Sequence, residues 1–220
     1  MEFPEARIRE KAVYDNLMFR GKNMIIYNLK YPFIQLENQK AQNRINNQIK
    51  DDLMHCLSHI KNSLLPICMR GCGDENFKTY MVNRGFNISF NESGLLSLCG
   101  ETCEYTDKKY SRVTRWSRTF SLRGGRLLEW ENLFARGYDY KFTLKQHIFD
   151  KIKSDAQNGE KYFDNAISAA NDKFSERCMY IKKGSLAVFY QPGTLMPYSA
   201  GVPEFEIPVS VFGDSIKIDI

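Results

Sequence analysis

A chain of 220 residues, 43% hydrophobic and 13% aromatic, is long enough to bury a core as one or two domains and too apolar to be disordered. Lys and Arg outnumber Asp and Glu by only 31 to 26, a mild attraction to acidic surfaces that singles out neither nucleic acid nor a cell-wall polymer. No stretch approaches the ~20 apolar residues of a membrane-spanning helix, and the opening MEFPEARIREKAVYDN has acidic residues and no apolar run of the signal-peptide kind.

Residues 1–22 mix charge with scattered apolar positions and read as an N-terminal extension without a strong period. Asn23 to Tyr31 reads as a strand, with Met24, Ile26 and Leu29 interleaved and Pro32 ending the run. From Asn38 onward Ile45, Ile49, Leu53, Leu57, Ile60 and Leu64 recur at helical spacing, and Pro66 closes the pattern. Phe86, Ile88 and Phe90 alternate, Asn91 to Gly94 turn the chain, and Leu95 to Cys103 return as a second arm. The inward set is open here, either Leu95, Ser97 and Cys99 or Leu96 and Leu98.

Arg112 to Leu122 alternates as a strand with Arg112, Trp116 and Arg118 on one face. Those three suit a glycan or phosphate platform, and equally a core Trp with arginines at the strand edges. Gly124 and Gly125 turn the chain, and Asp139 caps a helix carrying Leu144, Ile148, Phe149, Ile152 and Ala156, ended by Asn158 and Gly159. Tyr162 to Phe174 reads as a shorter helix. Then Tyr180 and Ile181, a Lys182-Lys183-Gly184 turn, and Leu186 to Tyr190 make a hairpin. A loop with Pro197 and Pro203 follows before Phe205, Ile207 and Val209 resume the alternation. Prolines narrow that loop, so Tyr198 and Glu204 are presented at little ordering cost, either for recognition or to cap the edge of the core. The fold class expected is α+β, a mainly antiparallel sheet with two to three helices packed on it.

Cysteines stand at 56, 68, 72, 99, 103 and 178, an even number compatible with disulfides, free thiols or a metal site. Cys99 and Cys103 in one strand would lie about 13 Å apart at ~3.3 Å per residue, too far to bridge each other. His55 and His59 share a helix face at i, i+4 spacing, a weak metal candidate with no third ligand evident. There is no Gly-x-Ser-x-Gly elbow, P-loop or dinucleotide fingerprint, so no catalytic residue and no cofactor are assigned and the chain is expected not to be an enzyme. The alternative is a small hydrolase using His55, His59 and a cysteine.

The segment LAVFYQPGTLMPYSAGVPEFEIPVSV, with Phe189, Tyr190, Pro197, Tyr198, Ala200, Gly201, Phe205, Ile207 and Pro208, resembles the C-terminal part of RsiV-like extracellular domains. Such domains occur in RsiV-type anti-sigma factors and PdaC-type peptidoglycan deacetylases. Arg126 to Phe134 resembles the stretch that joins strand to helix there, and KYPFIQLENQKAQNRINNQIKDDL resembles the PdaC-type N-terminal domain. Residues 23–110 then form a PdaC-type N-terminal subdomain and 111–220 an RsiV-like C-terminal one. The resemblance implies an extracytoplasmic, non-catalytic binding module with c-type lysozyme or peptidoglycan as partner, not nucleic acid. Candidate ligand-binding residues are Pro197, Tyr198, Glu204, Trp116, Arg112 and Arg118. Glu104 to Tyr110 carries charged residues where relatives have a Gly-Ala-His-Gly type turn.

Overall fold

A computed structural model of the protein describes residues 5–106, 111–217 and 220. The charged turn at Asp107 to Tyr110 lies outside them. Six strands form one sheet in chain order: β1 (Arg7–Phe19), β2 (Lys22–Gln35), β3 (Tyr80–Phe90), β4 (Leu95–Tyr105), β5 (Ser111–Ser121) and β6 (Arg126–Leu127). Only β2 and β3 run parallel; every other neighbour pair is antiparallel. Three more, β7 (Met179–Lys182), β8 (Ser185–Phe189) and β9 (Glu204–Pro208), make a separate antiparallel sheet. The helices are α1 (Gln39–His59), α2 (Leu65–Gly71), α3 (Tyr140–Gln157) and α4 (Ala166–Asp172). This is the α+β class expected. Strands β4 and β5 pair along their length, so the larger sheet runs across the boundary expected at 110/111.

Within the N-terminal extension, Arg7–Phe19 form a thirteen-residue strand. It showed no alternation because most of its side chains on either face are exposed, leaving burial nothing to select. Pro32 does not end β2. It stands opposite Glu10 in the β1 register, beyond the last β2 to β3 partners, Leu29 and Arg84, so the outer side of β2 needs no donor there. Past that point β2 and β3 separate and the twist of the long hairpin carries burial from Ile25, Tyr27 and Leu29 to Ile34 and Leu36.

Helix α1 packs on one face of this sheet. Asn38 caps it, its side chain accepting from the N–H groups of Lys40 and Ala41, and Ala41, Ile45, Ile49 and Leu53 are buried. Ile45 and Ile49 cluster with Ile34, Leu96, Leu98 and Phe120. Leu53 and Ile60 join Ile25, Tyr27 and Val82. Pro66 does not close the pattern either. A π-helical turn, Ile60–Leu64, follows α1, and Pro66 falls in the first turn of α2, where a missing N–H costs nothing.

The opposite face carries the smaller sheet. Strand β4 is buried on both sides, which resolves the open register: Leu96 and Leu98 face α1, while Leu95, Ser97 and Cys99 face β7 and β8. Polar groups in that seam are paired. The Ile181 N–H donates to Ser97 Oγ at 2.9 Å, Ser97 shares a 2.8 Å bond with Thr119, and Ser117 Oγ donates to the Met179 carbonyl at 2.8 Å. Beyond the seam α3, capped by Asp139, and α4 cover the remaining side of the small sheet with Leu144, Ile148, Ala166 and Ala170.

The turn after β5 locks the start of α1. Gly125 has φ 67° and a Cβ there would meet the Ala41 carbonyl oxygen at 2.3 Å. Gly125→Ala therefore combines a left-handed backbone cost with a backbone clash, and should lower unfolding free energy by about 2–4 kcal/mol in urea denaturation. A loss under ~0.5 kcal/mol would mean that helix and turn separate freely.

Candidate ligand-binding groove

Arg115 sits where the two sheets meet. Its cross-strand partner in β4 is Glu101, and Nη1 donates to that carboxylate at 3.0 Å. Its Nη2 reaches Glu204 of β9 at 3.1 Å and the Tyr180 hydroxyl at 3.3 Å. Glu204 is shared with Lys182 at 3.0 Å, which also holds Glu206 at 2.8 Å. One guanidinium and one ammonium thus face three carboxylates, an arrangement of charge-assisted hydrogen bonds. Burial alone would lower the Arg115 pKa, but the Tyr180 hydrogen bond and the neighbouring Cys99, Tyr180 and Glu204 raise it above its ordinary value. Burial, with Glu204 beside it, drives the Tyr180 phenol far above its own.

Beside this cluster the outer face of the larger sheet is uncovered. The small sheet spans only one end of it, leaving a groove of about 490 Å³ lined by Asn28, Lys30, Asn83, Asn87, Glu101, Cys103 and Arg115. Strand alternation puts these on the face away from α1, since their neighbours Tyr27, Leu29, Val82 and Thr102 are buried. The floor is low at Gly85, above which a Cβ would find open space. Amide, ammonium, guanidinium and carboxylate groups together offer donors and acceptors to a polar ligand.

The candidate residues divide between the two faces. Glu204 reaches the groove through Arg115. Tyr198 follows Pro197 in a 3-10 turn, is 45% exposed, and its hydroxyl accepts the Val113 N–H. Gln191 accepts from the Arg115 N–H at 2.9 Å and donates to the Arg115 carbonyl at 2.8 Å. Together Gln191 and Tyr198 stand along the β5 edge where another strand would pair. Arg112 is exposed and shares a strand face with Trp116 and Arg118, as expected. That face, however, turns toward α1. Arg84 lies 4.1 Å above the Trp116 ring, and Arg118 bonds Asp52 of α1 at 2.7 Å. So Trp116 and Arg118 already have partners within the chain, away from Tyr198 and Glu204.

His55 is exposed, and His59 faces the buried Glu104 carboxylate at 3.1 Å. Among the described residues no group of three or more His, Cys, Asp or Glu side chains is placed to hold a metal ion. All six cysteines are unpaired. Burial pushes the thiols of Cys56, Cys99, Cys103 and Cys178 up and that of Cys68 to about 11, which keeps them neutral at pH 7.

Fold and groove define an α+β protein with a polar groove on the free face of a mixed sheet. Residues 131–210 match the model of a family described as "Protein of unknown function (DUF3298)". That stretch overlaps the C-terminal segment whose resemblance is set out above. Two crystal structures share the fold. A member of that family from Bacteroides fragilis is 15% identical with a TM-score of 0.69, the match covering 100% of this chain and 96% of that one. A protein of the same family from Pseudomonas aeruginosa PAO1 is 13% identical with a TM-score of 0.63, covering 97% and 96%. No curated protein matches the sequence.

Arg115→Ala would strip Glu101 and Glu204 of their shared cation and should cost about 2–3 kcal/mol in urea unfolding, less than a fully buried pair because both carboxylates keep some solvent. Lys182 supplies a pH test. Burial lowers its pKa, the hydrogen bonds to Glu206 and Glu204 outweigh that, and the value rises above its ordinary 10.5. The Glu206 carboxyl falls below its ordinary 4.5, chiefly through Lys182 and Ser185. A raised lysine stabilises fully below its unfolded pKa and stops as pH climbs through the folded one; a depressed carboxylate stabilises above its unfolded pKa and stops as pH falls through the folded one. Lys182→Met should therefore melt below wild type between about pH 5 and 10 and converge with it at either extreme. The gap should be under ~1 kcal/mol, since these side chains are partly exposed.

Proposed function

We propose that this chain is a non-catalytic binding module of the bacterial cell envelope whose groove takes a glycan strand of the peptidoglycan type. The observation that carries it is the row of amides Asn28, Asn83 and Asn87 on an open, low-floored sheet face, beside Lys30 and Arg115, which are themselves paired with Glu10 and with Glu101 and Glu204. Hydroxyl and acetamido groups need many weakly charged donors and acceptors, which side-chain amides supply. The neutral thiols support this reading over a thiol hydrolase, because the thiolate is the nucleophile. The exposed Tyr198 on its proline-flanked loop favours a second ligand, a c-type lysozyme, which the resemblance to RsiV-like domains also suggests. An aromatic anchor held on a stiff loop suits a protein partner.

Calorimetric titrations with soluble peptidoglycan fragments and with a c-type lysozyme separate the two. Asn83→Ala with Asn87→Ala should weaken fragment binding at least ~10-fold, as expected when buried polar ligand groups lose partners. Under the second reading those changes leave lysozyme binding intact, whereas Tyr198→Ala abolishes it. No heat from either ligand would sink the proposal.

A further inference from the structure

The two edges of the larger sheet are treated differently. Along β5, the side chains of Gln191 and Tyr198 occupy main-chain groups that another strand would use. Among the described residues, strand β1 forms the opposite edge and pairs only with β2. Among the described residues, no side chain from another element bonds the backbone of Arg7 to Phe19; the Asn16 N–H alone is engaged, by the carboxylate of adjacent Asp15 at 2.8 Å. Its side chains are mostly exposed, Tyr14 at 71%, and from Glu10 to Asn16 the strand runs without irregularity, its one register shift lying at Leu17/Met18. A long regular edge of this kind is a template for another strand.

We infer that β1 pairs antiparallel with β1 of a second copy of this chain, about a two-fold axis at Val13, joining the two sheets into one. A two-fold pairing centred on a residue sets the position k after it opposite the position k before it. Centred on Val13, it sets Lys11 opposite Asp15 of the second copy, and the same pair recurs across the axis. Tyr14 falls over the small Ala12, Glu10 over Asn16, Ile8 over Met18 and Val13 over itself. Opposite charges directly across a ladder are favourable, and the register also sets Arg9 over Leu17.

Neighbouring registers do worse. A centre between Ala12 and Val13 sets Glu10 against Asp15, two carboxylates. A centre on Ala12 pairs Arg9 with Asp15 but puts Lys11 on Val13 and Ile8 on Asn16. A centre on Tyr14 leaves no opposite charges paired. The charges that keep the single strand soluble are thus the ones that select the register of the pair.

Sedimentation velocity over a concentration series tests this. The wild type should shift from 25.6 kDa toward twice that mass. Lys11→Asp puts Asp against Asp15 at both pairs, and Asp15→Lys puts Lys against Lys11, so each alone should raise the dissociation constant at least ~10-fold. An equimolar mixture of the two variants restores both opposite-charge pairs and should form a heterodimer at wild-type concentrations. Circular dichroism matching wild type verifies that each variant is folded. A wild type that stays at 25.6 kDa at every concentration overturns the inference. So do single variants that dimerise as the wild type does, or a dimer lost with Arg9→Asp yet kept with Lys11→Asp.

Discussion

Strand β4 is buried on both faces, and the rest of the molecule follows from that constraint. A strand covered twice must be apolar or internally satisfied on each side, because no water reaches its polar groups. Leu96 and Leu98 meet the first requirement against α1. Ser97, with Thr119 and the Ile181 N–H, meets the second against the small sheet. Where β4 emerges from beneath the small sheet, at Glu101, the side chains turn charged and the covering layer ends. The groove begins there, at the limit of a layer of packing.

Arg115 marks that limit. It is held by carboxylates from both sheets, Glu101 below and Glu204 above, while its backbone is tied to Gln191. The small sheet is thereby tied to the larger one at the wall of the groove. Pre-organised polar walls favour binding, since little side-chain freedom remains to be lost on contact. On the other face a second set of polar contacts, Asp52 with Arg118 and His59 with Glu104, holds α1 across the sheet.

Much of the local structure was legible in the residues. The Asp139 cap, the hairpin turning at Lys183 and Gly184, and the helical stripes of Ile45, Ile49 and Leu53 and of Leu144, Ile148 and Ile152 all depend on neighbours a few positions apart, and periodicity records those. Two prolines misled for one reason. Pro32 and Pro66 stop an element only where their N–H is needed, and whether it is needed depends on a distant strand and on a π-helical turn. Among the candidate residues, Tyr198 and Glu204 stood out because each follows a proline. Arg115, Asn83 and Asn87 carried no local mark; as polar residues alternating along strands they resemble any solvated face.

By itself the sequence determined the class of fold, the later hairpin turns and the helical stripes, because each rests on backbone preference and short-range spacing; the exposed first strand and its turn at Arg20 and Gly21 left no such mark. Only the tertiary structure decided what covers each face of β5. Trp116 and Arg118 share a strand face with Arg112, yet α1, arriving from more than fifty residues away, packs beside them, while Arg115 on the other face is held against the small sheet by Glu204 and Tyr180. Alternation states that two faces differ. Which face is covered follows from long-range packing of apolar surface, a property of the whole chain.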